Sequence, residues 1–501
     1  MRPLLTPEEM AAADRAAIAG GAPGAVLMER AGRAVARAAA RIAGRRYGAR
    51  FLVVCGKGNN GGDGFVAARE LAREGAGVTC AVVFDAGQAK GDAAHHLALM
   101  RRAGIEPRAF HPGLLENADV VIDAIFGTGF SGAARGPAAS AIAAISKCPA
   151  PVVAVDIPSG VNGRTGAVEG PAVRAAATVA LAAQKTGTAV GAGAALSGEV
   201  EVAGIGIPFE EPQSHLVERA DVAAVLPRRP PEAHKRSAGA VALLGGSAGM
   251  SGAPVLAARG AMRAGAGYVT VGATADVDDK VSNLLPEVLS QTVVDEDVLG
   301  PKAIDAFAPV LHAATAVALG PGLGRGGEQR ALVERALAEI PQPLVLDADG
   351  LNVLAPDPGP LQIRTHPAVI TPHPAEMARL DRTDVGTVLG DRMGVASAAS
   401  RRLGCVVLLK GFHTVVAAPD GRVVVNPIGG PELATAGTGD VLTGVVAAFC
   451  AAGLGPFEAA WAGAYVHGLA GGIAARAGSH GVLAWDVAEA LQEAIAQVLD
   501  P

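Results

Sequence analysis

Three polar, glycine-rich segments in the first half of the chain could bind an anionic ligand and move protons. They are GKGNNGGDG at residues 56–64, DAIFGTGF at 123–130 and DIPSG at 156–160. Glycine lets the backbone approach a ligand closely, and free N–H groups at a helix start attract anions. We expect the first segment to be a loop between a strand and a helix.

The side chains of these segments add further chemistry. Asn60, Asp123 and Ser159 offer hard oxygen ligands of the kind that suits a cation. Asp156 is then left as a carboxylate that faces the ligand. A single Asp at the end of a strand is often only a cap, but three converging segments favour a binding site.

The second half places an acid at a glycine-rich helix start. AGTGDVLTG at residues 436–444 precedes a helical run at 445–452. N–H groups there would stabilise developing negative charge, and Asp440 in the first turn could take a proton from a bound hydroxyl. Five more polar segments follow predicted strands: GGSAGMSGA at 245–253, GPGLG at 320–324, DADGLN at 347–352, TPHPAE at 371–376 and KGFHT at 410–414.

Alternating apolar runs and alanine-rich stretches predict the elements that position these segments. Such alternation predicts an α/β fold in which each half has a mostly parallel sheet covered by helices on both faces. The predicted strands are 51–55, 78–84, 119–126, 151–158, 177–182, 240–244, 268–272, 316–319, 344–346, 369–371 and 406–409. The predicted helices of the first half are 64–74, 92–103 and 137–147.

The whole chain has the size and composition of a two-domain globular protein. It has 501 residues, of which 50% are hydrophobic, and its net charge is −6. The absence of a basic surplus argues against broad nucleic-acid binding. Residues 208–236 hold five prolines and clustered charges, which favours a domain boundary there.

The sequence also bears on the compartment. Glu8, Glu9 and Asp14 fall where a secretory signal needs its apolar stretch, so we expect none. The five cysteines are far apart and form no Cys-x-x-Cys pair, which predicts neither a disulfide framework nor a zinc site. We expect a cytoplasmic protein without a membrane span.

The order NNGGDG, DAIFGTG, DIPSG resembles the NAD(P)H-hydrate epimerase domain over residues 1–215, with a Rossmann-like fold. GAVLMERA at 24–31 is similar to a helix of that family, although Arg30 replaces its more usual Asn. The resemblance implies interconversion of the R and S epimers of hydrated NADH and NADPH, with Asp156 as the acid/base. It implies potassium at Asn60, Asp123 and Ser159. The substrate residues that it implies are Asn59, Asn60, Gly61, Gly62, Asp63, Gly127, Thr128, Gly129, Phe130, Ser131, Gly132, Ala133 and Asp156.

Over residues 222–501 the motifs and their order resemble the NAD(P)H-hydrate dehydratase family, whose fold is ribokinase-like. Ala375 stands where that family usually has Gly. The resemblance implies dehydration of the S form at the expense of ADP, giving AMP and phosphate, with magnesium expected. Asp440 would deprotonate the ring hydroxyl, which attacks the β-phosphate. The implied substrate residues are Ala253, Gly324, His373 and Asp440, and the implied nucleotide residues are Lys410, Gly411, Phe412, His413, Thr414 and Gly439.

The resemblance thus predicts a bifunctional repair enzyme whose partners are small molecules and a second copy of itself, in a homo-oligomer of unknown size. Three other functions stay open: a small-molecule kinase, a first half that only mediates interactions, and a Rossmann dehydrogenase. The last is disfavoured because no Gly-x-Gly-x-x-Gly follows the first strand with an acid about 20 residues later. The sequence does not show whether the phosphoryl donor is ADP or ATP. It also does not show whether hydrated NADH or hydrated NADPH is the preferred substrate.

Overall fold

The computed structural model describes residues 1–229, 231–232, 234–294 and 297–500, and it divides into two compact units. The N-terminal unit is Pro3–Ser214, and the C-terminal unit is Met1–Arg2 with the chain from His215 onward. The division falls inside the proline-rich segment 208–236, of which Pro230 and Ala233 lie outside the described residues, as does Pro501. The assignment of 1–215 and 222–501 to two catalytic domains stays a prediction.

The N-terminal unit is a parallel sheet between helices. Its strands are β1 (Arg2–Leu5), β2 (Arg50–Cys55), β3 (Gly77–Val82), β4 (Arg108–Ala109), β5 (Val120–Ala124), β6 (Val152–Val155), β7 (Ala177–Leu181), β8 (Gln184–Lys185) and β9 (Glu199–Ala203). Its α-helices are α1 (Pro7–Ala19), α2 (Gly24–Ile42), α3 (Asn59–Arg73), α4 (Gly91–Arg102), α5 (Gly136–Ile145) and α6 (Gly191–Ser197). Seven strands pair in parallel in the order β4-β3-β2-β5-β6-β7-β9, and β1 pairs in parallel with β8.

Strand β2 shows why this sheet is covered on both faces. Phe51 and Val53 belong to one buried apolar cluster, whereas Leu52 and Val54 belong to another. Successive side chains of a strand point to opposite faces, so a continuous apolar run needs a layer on each side.

Helix α3 corrects the prediction that residues 56–64 are a loop and that the helix starts at Gly64. It begins at Asn59, so the asparagines and glycines of that motif form its first turns. A Cβ on Gly61 would overlap the carbonyl oxygen of Gly56, and one on Gly62 would overlap Sδ of Met28. Glycine is a poor helix former in isolation. Close packing decides the helix start here.

Two predicted strands are also too long at their carboxyl ends. The runs 119–126 and 151–158 were expected to be strands, but β5 ends at Ala124 and β6 at Val155. Asp156 has a φ of 68°, in the left-handed region, which takes the chain out of the sheet. The residues beyond both strands form the edge that holds the site.

The C-terminal unit repeats the layered plan with a different strand order. Its strands are β10 (Ser214–Leu216), β11 (Ala240–Leu244), β12 (Tyr268–Thr274), β13 (Leu289–Val294), β14 (Ala316–Leu319), β15 (Leu344–Leu346), β16 (Ala368–Ile370), β17 (Val406–Leu409), β18 (Thr414–Ala417) and β19 (Val423–Asn426). Its α-helices are α7 (Arg219–Val225), α8 (Gly252–Arg263), α9 (Ala275–Leu284), α10 (Lys302–Ala306), α11 (Ala308–Ala313), α12 (Gly327–Glu339), α13 (Asp349–Leu354), α14 (Gly359–Gln362), α15 (Pro374–Asp381), α16 (Val385–Gly390), α17 (Arg392–Leu403), α18 (Thr438–Ala451), α19 (Pro456–Ala474) and α20 (Ala484–Leu499). Strands β13-β12-β11-β14-β15-β16-β17 are parallel, and β18 and β19 continue the sheet antiparallel.

Helix α18 is held in place by glycine contacts with α8. A Cβ on Gly444 would overlap the carbonyl oxygen of Ala257, and a Cβ on Gly260 would lie 2.5 Å from the carbonyl oxygen of Val441. The backbones therefore approach each other more closely than side chains would permit. This contact fixes the start of α18, where Asp440 lies in the first turn.

Candidate active sites

The predicted cation ligands of the N-terminal unit lie together at the carboxyl ends of β5 and β6. Ser159 donates its hydroxyl to Oδ1 of Asp123 over 2.6 Å and its N–H to Oδ2 over 2.8 Å. The N–H of Phe126 donates to Oγ of Ser159 at 2.9 Å, and Nδ2 of Asn60 donates to the Phe126 carbonyl at 2.9 Å. The structure thus brings Asn60, Asp123 and Ser159 around one short stretch of backbone.

Asp123 is fully buried, and its charge is not balanced by a basic side chain within this group. Burial raises the pKa of its carboxyl to about 6, although hydrogen bonds from Ser159 and the Ile125 N–H act to lower it. A buried carboxylate that costs this much to ionise fits a bound cation, and the neighbouring hydroxyl and amide oxygens suit an alkali ion. The described residues contain no group of three or more His, Cys, Asp or Glu arranged to hold a metal.

A cavity of about 600 Å³ opens beside this group. The predicted substrate residues that line it are Asn59, Asn60, Asp63, Gly127, Thr128, Gly129, Phe130, Ser131 and Asp156. Gly61 and Gly62 serve the packing of α3 instead, and Gly132 and Ala133 lie farther along the loop, outside the lining. Most of the predicted set therefore surrounds one space.

Lys185 is a residue of this cavity that the sequence analysis missed. Its Nζ lies 2.5 Å from Oδ1 of Asp156, and its side chain is 1% exposed. It follows β7 by a few residues in a stretch of small side chains, LAAQKTGT, where a single lysine is the one visible signal. Its position next to Asp156 depends on the pairing of Leu5 in β1 with Lys185 in β8, which no local pattern shows.

Two of the other carboxyl groups that line the cavity, those of Asp63 and Asp14, interact electrostatically with Asp156. Burial raises the pKa of Asp63 well above its usual value, and the charges of Asp156 and Asp14 raise it further while Lys185 lowers it. Burial also raises the pKa of Asp14, against the effect of Lys185. The cavity therefore holds two carboxyl groups whose pKa values burial raises, beside the Asp156–Lys185 ion pair.

In the C-terminal unit, Asp440 lies at the start of α18 among other acids. Burial raises the pKa of Asp440 to about 7, and Asp347, Asp349 and Glu376 raise it, whereas Lys410 lowers it. A carboxyl group poised near neutral pH is well suited to act as a general base.

Lys410 contributes a positive charge to this cluster, as Arg325 does through its ion pair with Asp349. Its Nζ donates to Oδ1 of Asp347 at 2.8 Å and lies 4.0 Å from Glu376, while Thr443 donates to Oδ2 of Asp347 at 2.7 Å. Burial acts to lower the pKa of Lys410, but Asp347 and Glu376 raise it above its usual value. Lys410 is therefore a fixed positive charge beside Asp440.

The other predicted substrate residues stand at neighbouring strand ends. Nδ1 of His373 accepts hydrogen bonds from the N–H groups of Ala375 and Glu376, which makes it the N-cap of α15. Gly324 donates its N–H to Asp349 at 3.1 Å. Ala253 is close to the β14 loop, since a Cβ on Gly322 would lie 3.2 Å from its own. Because His373 is the N-cap, Ala375 lies in the regular first turn of α15, where alanine fits as well as the glycine that is more usual in the family.

A second cavity, of about 450 Å³, lies beside Lys410. The predicted nucleotide residues that line it are Lys410, Gly411, Phe412, Thr414 and Gly439. His413 stacks on Phe412 instead, with ring centroids 4.4 Å apart. The sequence analysis missed His467, which also lines the cavity. Its Nε2 has no hydrogen-bond partner among the described residues, and burial lowers its pKa to about 4.

Comparison with known proteins agrees with this pair of sites. Residues 24–187 match the family described as YjeF-related protein N-terminus, and residues 241–493 match NAD(P)H-hydrate dehydratase. The chain is 41% identical over 507 residues to the bifunctional NAD(P)H-hydrate repair enzyme of Moorella thermoacetica, covering 97% of this chain and 96% of that protein.

The chain belongs to the family of bifunctional NAD(P)H-hydrate repair enzymes.

Solved structures resemble the C-terminal part of this repair-enzyme chain. A ribokinase-like superfamily protein from Enterococcus faecalis has a TM-score of 0.51 at 24% identity, covering 59% of this chain and 99% of that protein, and the likeness shows a ribokinase-like fold. The ADP/ATP-dependent NAD(P)H-hydrate dehydratase from Bacillus subtilis, co-crystallized with ATP/Mg²⁺, is 29% identical with a TM-score of 0.49, covering 56% of this chain and 98% of that one. The α/β fold predicted for both halves is confirmed.

The side chain at position 30 contacts the wall of the N-terminal cavity. Arg30, which departs from the usual family residue, donates through Nη1 to the carbonyl of Ile205, a residue of the cavity wall. Within the described part of the chain, no helix combines the length and apolar character that crossing a membrane requires.

Proposed function

We propose that the N-terminal unit epimerises the R and S forms of hydrated NADH and NADPH, and that the C-terminal unit dehydrates the S form with ADP. The observation that carries this proposal is that each unit sets a carboxyl group near a lysine at the carboxyl edge of a parallel sheet, a fully buried lysine in the N-terminal unit and a partly buried one in the C-terminal unit. Asp156 lies beside Lys185 and Asp440 beside Lys410. Family membership supports the division of labour.

In the N-terminal unit, Asp156 acts as the acid/base. The hydrated ring has its hydroxyl on a carbon next to the ring nitrogen, and flattening that carbon requires proton movement at or near the hydroxyl. Asn59, Asn60 and Asp63, together with Gly127 to Ser131, line the cavity and hold the dinucleotide. Asn60, Asp123 and Ser159 would hold a potassium ion, which would supply the countercharge that buried Asp123 lacks.

In the C-terminal unit, Asp440 is the base that deprotonates the ring hydroxyl. Hydroxide leaves poorly, whereas the phosphate formed by attack on the β-phosphate of ADP leaves well, so AMP and then phosphate are released. Lys410 to Thr414 with Gly439 bind the nucleotide, and Ala253, Gly324 and His373 bind the hydrated ring. The N–H groups at the start of α18 face the charge that develops on the phosphoryl group.

Magnesium fits this site through its acids. Asp440 and Glu376 are carboxyl groups whose pKa values burial raises, so positive charge nearby would favour their ionised forms. Magnesium is usually held by one or two carboxylates together with substrate phosphates, which matches a site without a complete protein cage. When bound, the ion would neutralise phosphate charge.

An assay on mixed epimers of hydrated NADH tests both assignments. With ADP, the wild-type protein should restore the absorbance of reduced nicotinamide from the whole pool. Asp156→Asn should restore only the S fraction promptly, and Asp440→Asn should restore neither. A stable phosphorylated product that never becomes NADH would indicate a kinase instead, and faster turnover with ATP would correct the donor.

We propose in addition a cytoplasmic homo-oligomer. Light scattering of the purified chain gives the number of copies, and a monomer at all concentrations would reject this point.

A further inference from the structure

The two oxygens of the Asp156 carboxylate have different surroundings. Oδ1 accepts from Nζ of Lys185 at 2.5 Å and from the N–H of Leu181 at 3.0 Å. Among the described residues, no hydrogen bond reaches Oδ2. Asp156 is only 6% exposed and lines the 600 Å³ cavity. One oxygen is therefore fixed by the protein, and the other is available to a ligand.

The hydrogen-bonding capacity of the Lys185 ammonium group is used within the protein. Besides Asp156, its Nζ donates to the carbonyl of Leu181 at 2.6 Å and to that of Ala183 at 3.0 Å. An ammonium group has three donors, and all three are accounted for. Lys185 is thus built to hold a neighbour in place and has no proton directed at the cavity.

The backbone is in the left-handed region both at Asp156 and close to Lys185, at Ala182. Asp156 has a φ of 68° and Ala182 a φ of 62°, both in the left-handed region, which costs free energy for residues other than glycine. Ala182 lies between the two carbonyl groups that Lys185 binds. The strain is concentrated in the two turns that form the lysine–aspartate pair.

The charges around the pair make Lys185 necessary. Asp14 on α1 and Asp63 on α3 line the same cavity and interact electrostatically with Asp156, while Lys57 and Asp92 line its wall. Without Lys185, Asp156 would face two other carboxyl groups in a buried space. Like charges at close range cannot all stay ionised.

We propose that Lys185 is a positioning residue for epimerisation, which fixes Oδ1 of Asp156 so that Oδ2 is the oxygen that exchanges a proton with the hydrated ring. The inference rests on the proposed function of the N-terminal unit. In the step, Oδ2 takes the proton of the ring hydroxyl while the bond from its carbon to the ring nitrogen breaks, so that the carbon becomes a flat aldehyde and the electron pair of the broken bond passes to the nitrogen. When the nitrogen attacks the opposite face of the aldehyde, the carbon–nitrogen bond re-forms and Oδ2 returns the proton to the oxygen. Lys185 keeps its own protons throughout.

The test is the pH profile of epimerisation for full-length Lys185→Met and Lys185→Arg, measured as kcat and KM. We expect Lys185→Met to lower kcat at neutral pH at least ~10-fold, with KM nearly unchanged, and to move the acid limb by about 1–3 pH units upward. Lys185→Arg keeps the charge, so its acid limb should stay at the wild-type position although kcat falls.

Thr188→Val is the matched control, because it removes a buried hydrogen bond to the Lys185 carbonyl at 2.8 Å without changing charge. It should leave the pH profile unaltered. A Lys185→Met profile with a wild-type acid limb would overturn the inference. If Lys185→Met does not fold, Lys185→Arg decides: a change in KM alone would overturn the inference, and a fall in kcat at an unmoved acid limb supports it.

The same data separate this inference from the proposed function. If the wild-type chain does not epimerise, the proposed function fails and the role of Lys185 fails with it. If the wild type epimerises and Lys185→Met does so equally well at every pH, only the inference fails.

Discussion

At the scale of single residues, the two sites depend on carboxyl groups whose ionisation is costly. Asp440 and Asp123 are both held in surroundings that favour the protonated form, with pKa values of about 7 and about 6. Burial is the largest cause in both cases. Each value gives a measurable pH dependence, since the ionised form is the one that works as a base or a ligand.

We predict that dehydration of the S epimer decreases as the pH falls through about 7, because Asp440 becomes protonated. Asp440→Asn should lower the rate at least ~100-fold.

The folding stability of the C-terminal unit should change with pH in the opposite direction to the rate of dehydration. A carboxyl pKa raised from 3.8 to about 7 means that the folded state binds the extra proton, so stability falls as the pH rises through that window. Asp440→Asn should therefore stabilise the C-terminal unit above pH 7 by up to about 4 kcal/mol. Tryptophan fluorescence reports this unit, since Trp461 and Trp485 both belong to it. No stabilisation would mean that Asp440 is better solvated than its burial indicates.

We predict that potassium stabilises the N-terminal unit when the pH is well above 6. Asp123 is then ionised and needs a countercharge, whereas below 6 it is protonated and the potassium effect should vanish. Calorimetry with potassium or choline chloride at equal ionic strength measures the difference. Asp123→Asn should abolish it, and Asp119→Asn, at a partly exposed acid paired with Arg50, should not. Equal melting temperatures in both salts would reject the cation site.

At the scale of elements, close helix contacts decide where the proposed base Asp440 and the proposed cation ligand Asn60 stand. Helices α8 and α18 meet through Gly260 and Gly444, and α3 begins where Gly61 and Gly62 permit it. These glycines have no ligand-binding side chain, yet they determine the positions of Asp440 and Asn60. These glycines therefore affect the chemistry only indirectly, by fixing where Asp440 and Asn60 lie.

We predict that Gly444→Ala destabilises the C-terminal unit by about 3 kcal/mol, because its Cβ would overlap the carbonyl oxygen of Ala257 in α8. Gly472→Ala is the matched control: it also lies in a helix, α19, but its Cβ would meet nothing within 4 Å. Because alanine has a better helix propensity than glycine, this variant should stabilise the C-terminal unit by up to ~1 kcal/mol. Urea unfolding followed by tryptophan fluorescence compares the two. Equal effects would show that α8 can move away from α18 freely.

At the scale of the whole molecule, the chain joins two units, each of which has parallel strands and a cavity of its own. The proposed dehydratase accepts one epimer and the proposed epimerase supplies it from the other. Because both units belong to one polypeptide, the cell makes them in equal numbers. Nothing in the sequence requires the intermediate to pass directly from one site to the other.

We predict that an equal mixture of Asp156→Asn and Asp440→Asn chains restores NADH from both epimers, because the S epimer exchanges through solvent. Each variant alone should fail, the first on the R form and the second on both forms. The double variant mixed with wild type serves as the dilution control. If the mixture recovers no more than Asp156→Asn alone, the intermediate does not leave the protein.

The sequence by itself determined the α/β class, because apolar runs and helical stretches are local patterns that alternate along the chain. It also indicated which segments come together: Asp123 lies at the carboxyl end of β5, Asp156 directly follows β6, and Asp440 lies in the first turn of α18. Parallel strands gather such ends at one edge, so the convergence of the N-terminal segments around one cavity could be predicted.

Only the tertiary structure decided the rest. Lys185 reaches Asp156 through strand pairing with residues 180 positions away, and α3 starts at Asn59 because Met28 and Gly56 pack against its glycines. The pKa of about 7 for Asp440 depends on burial and on three acids from two other strand ends, Asp347 and Asp349 after β15 and Glu376 after β16. Distances between groups far apart in the chain set these properties, and no local pattern encodes such distances.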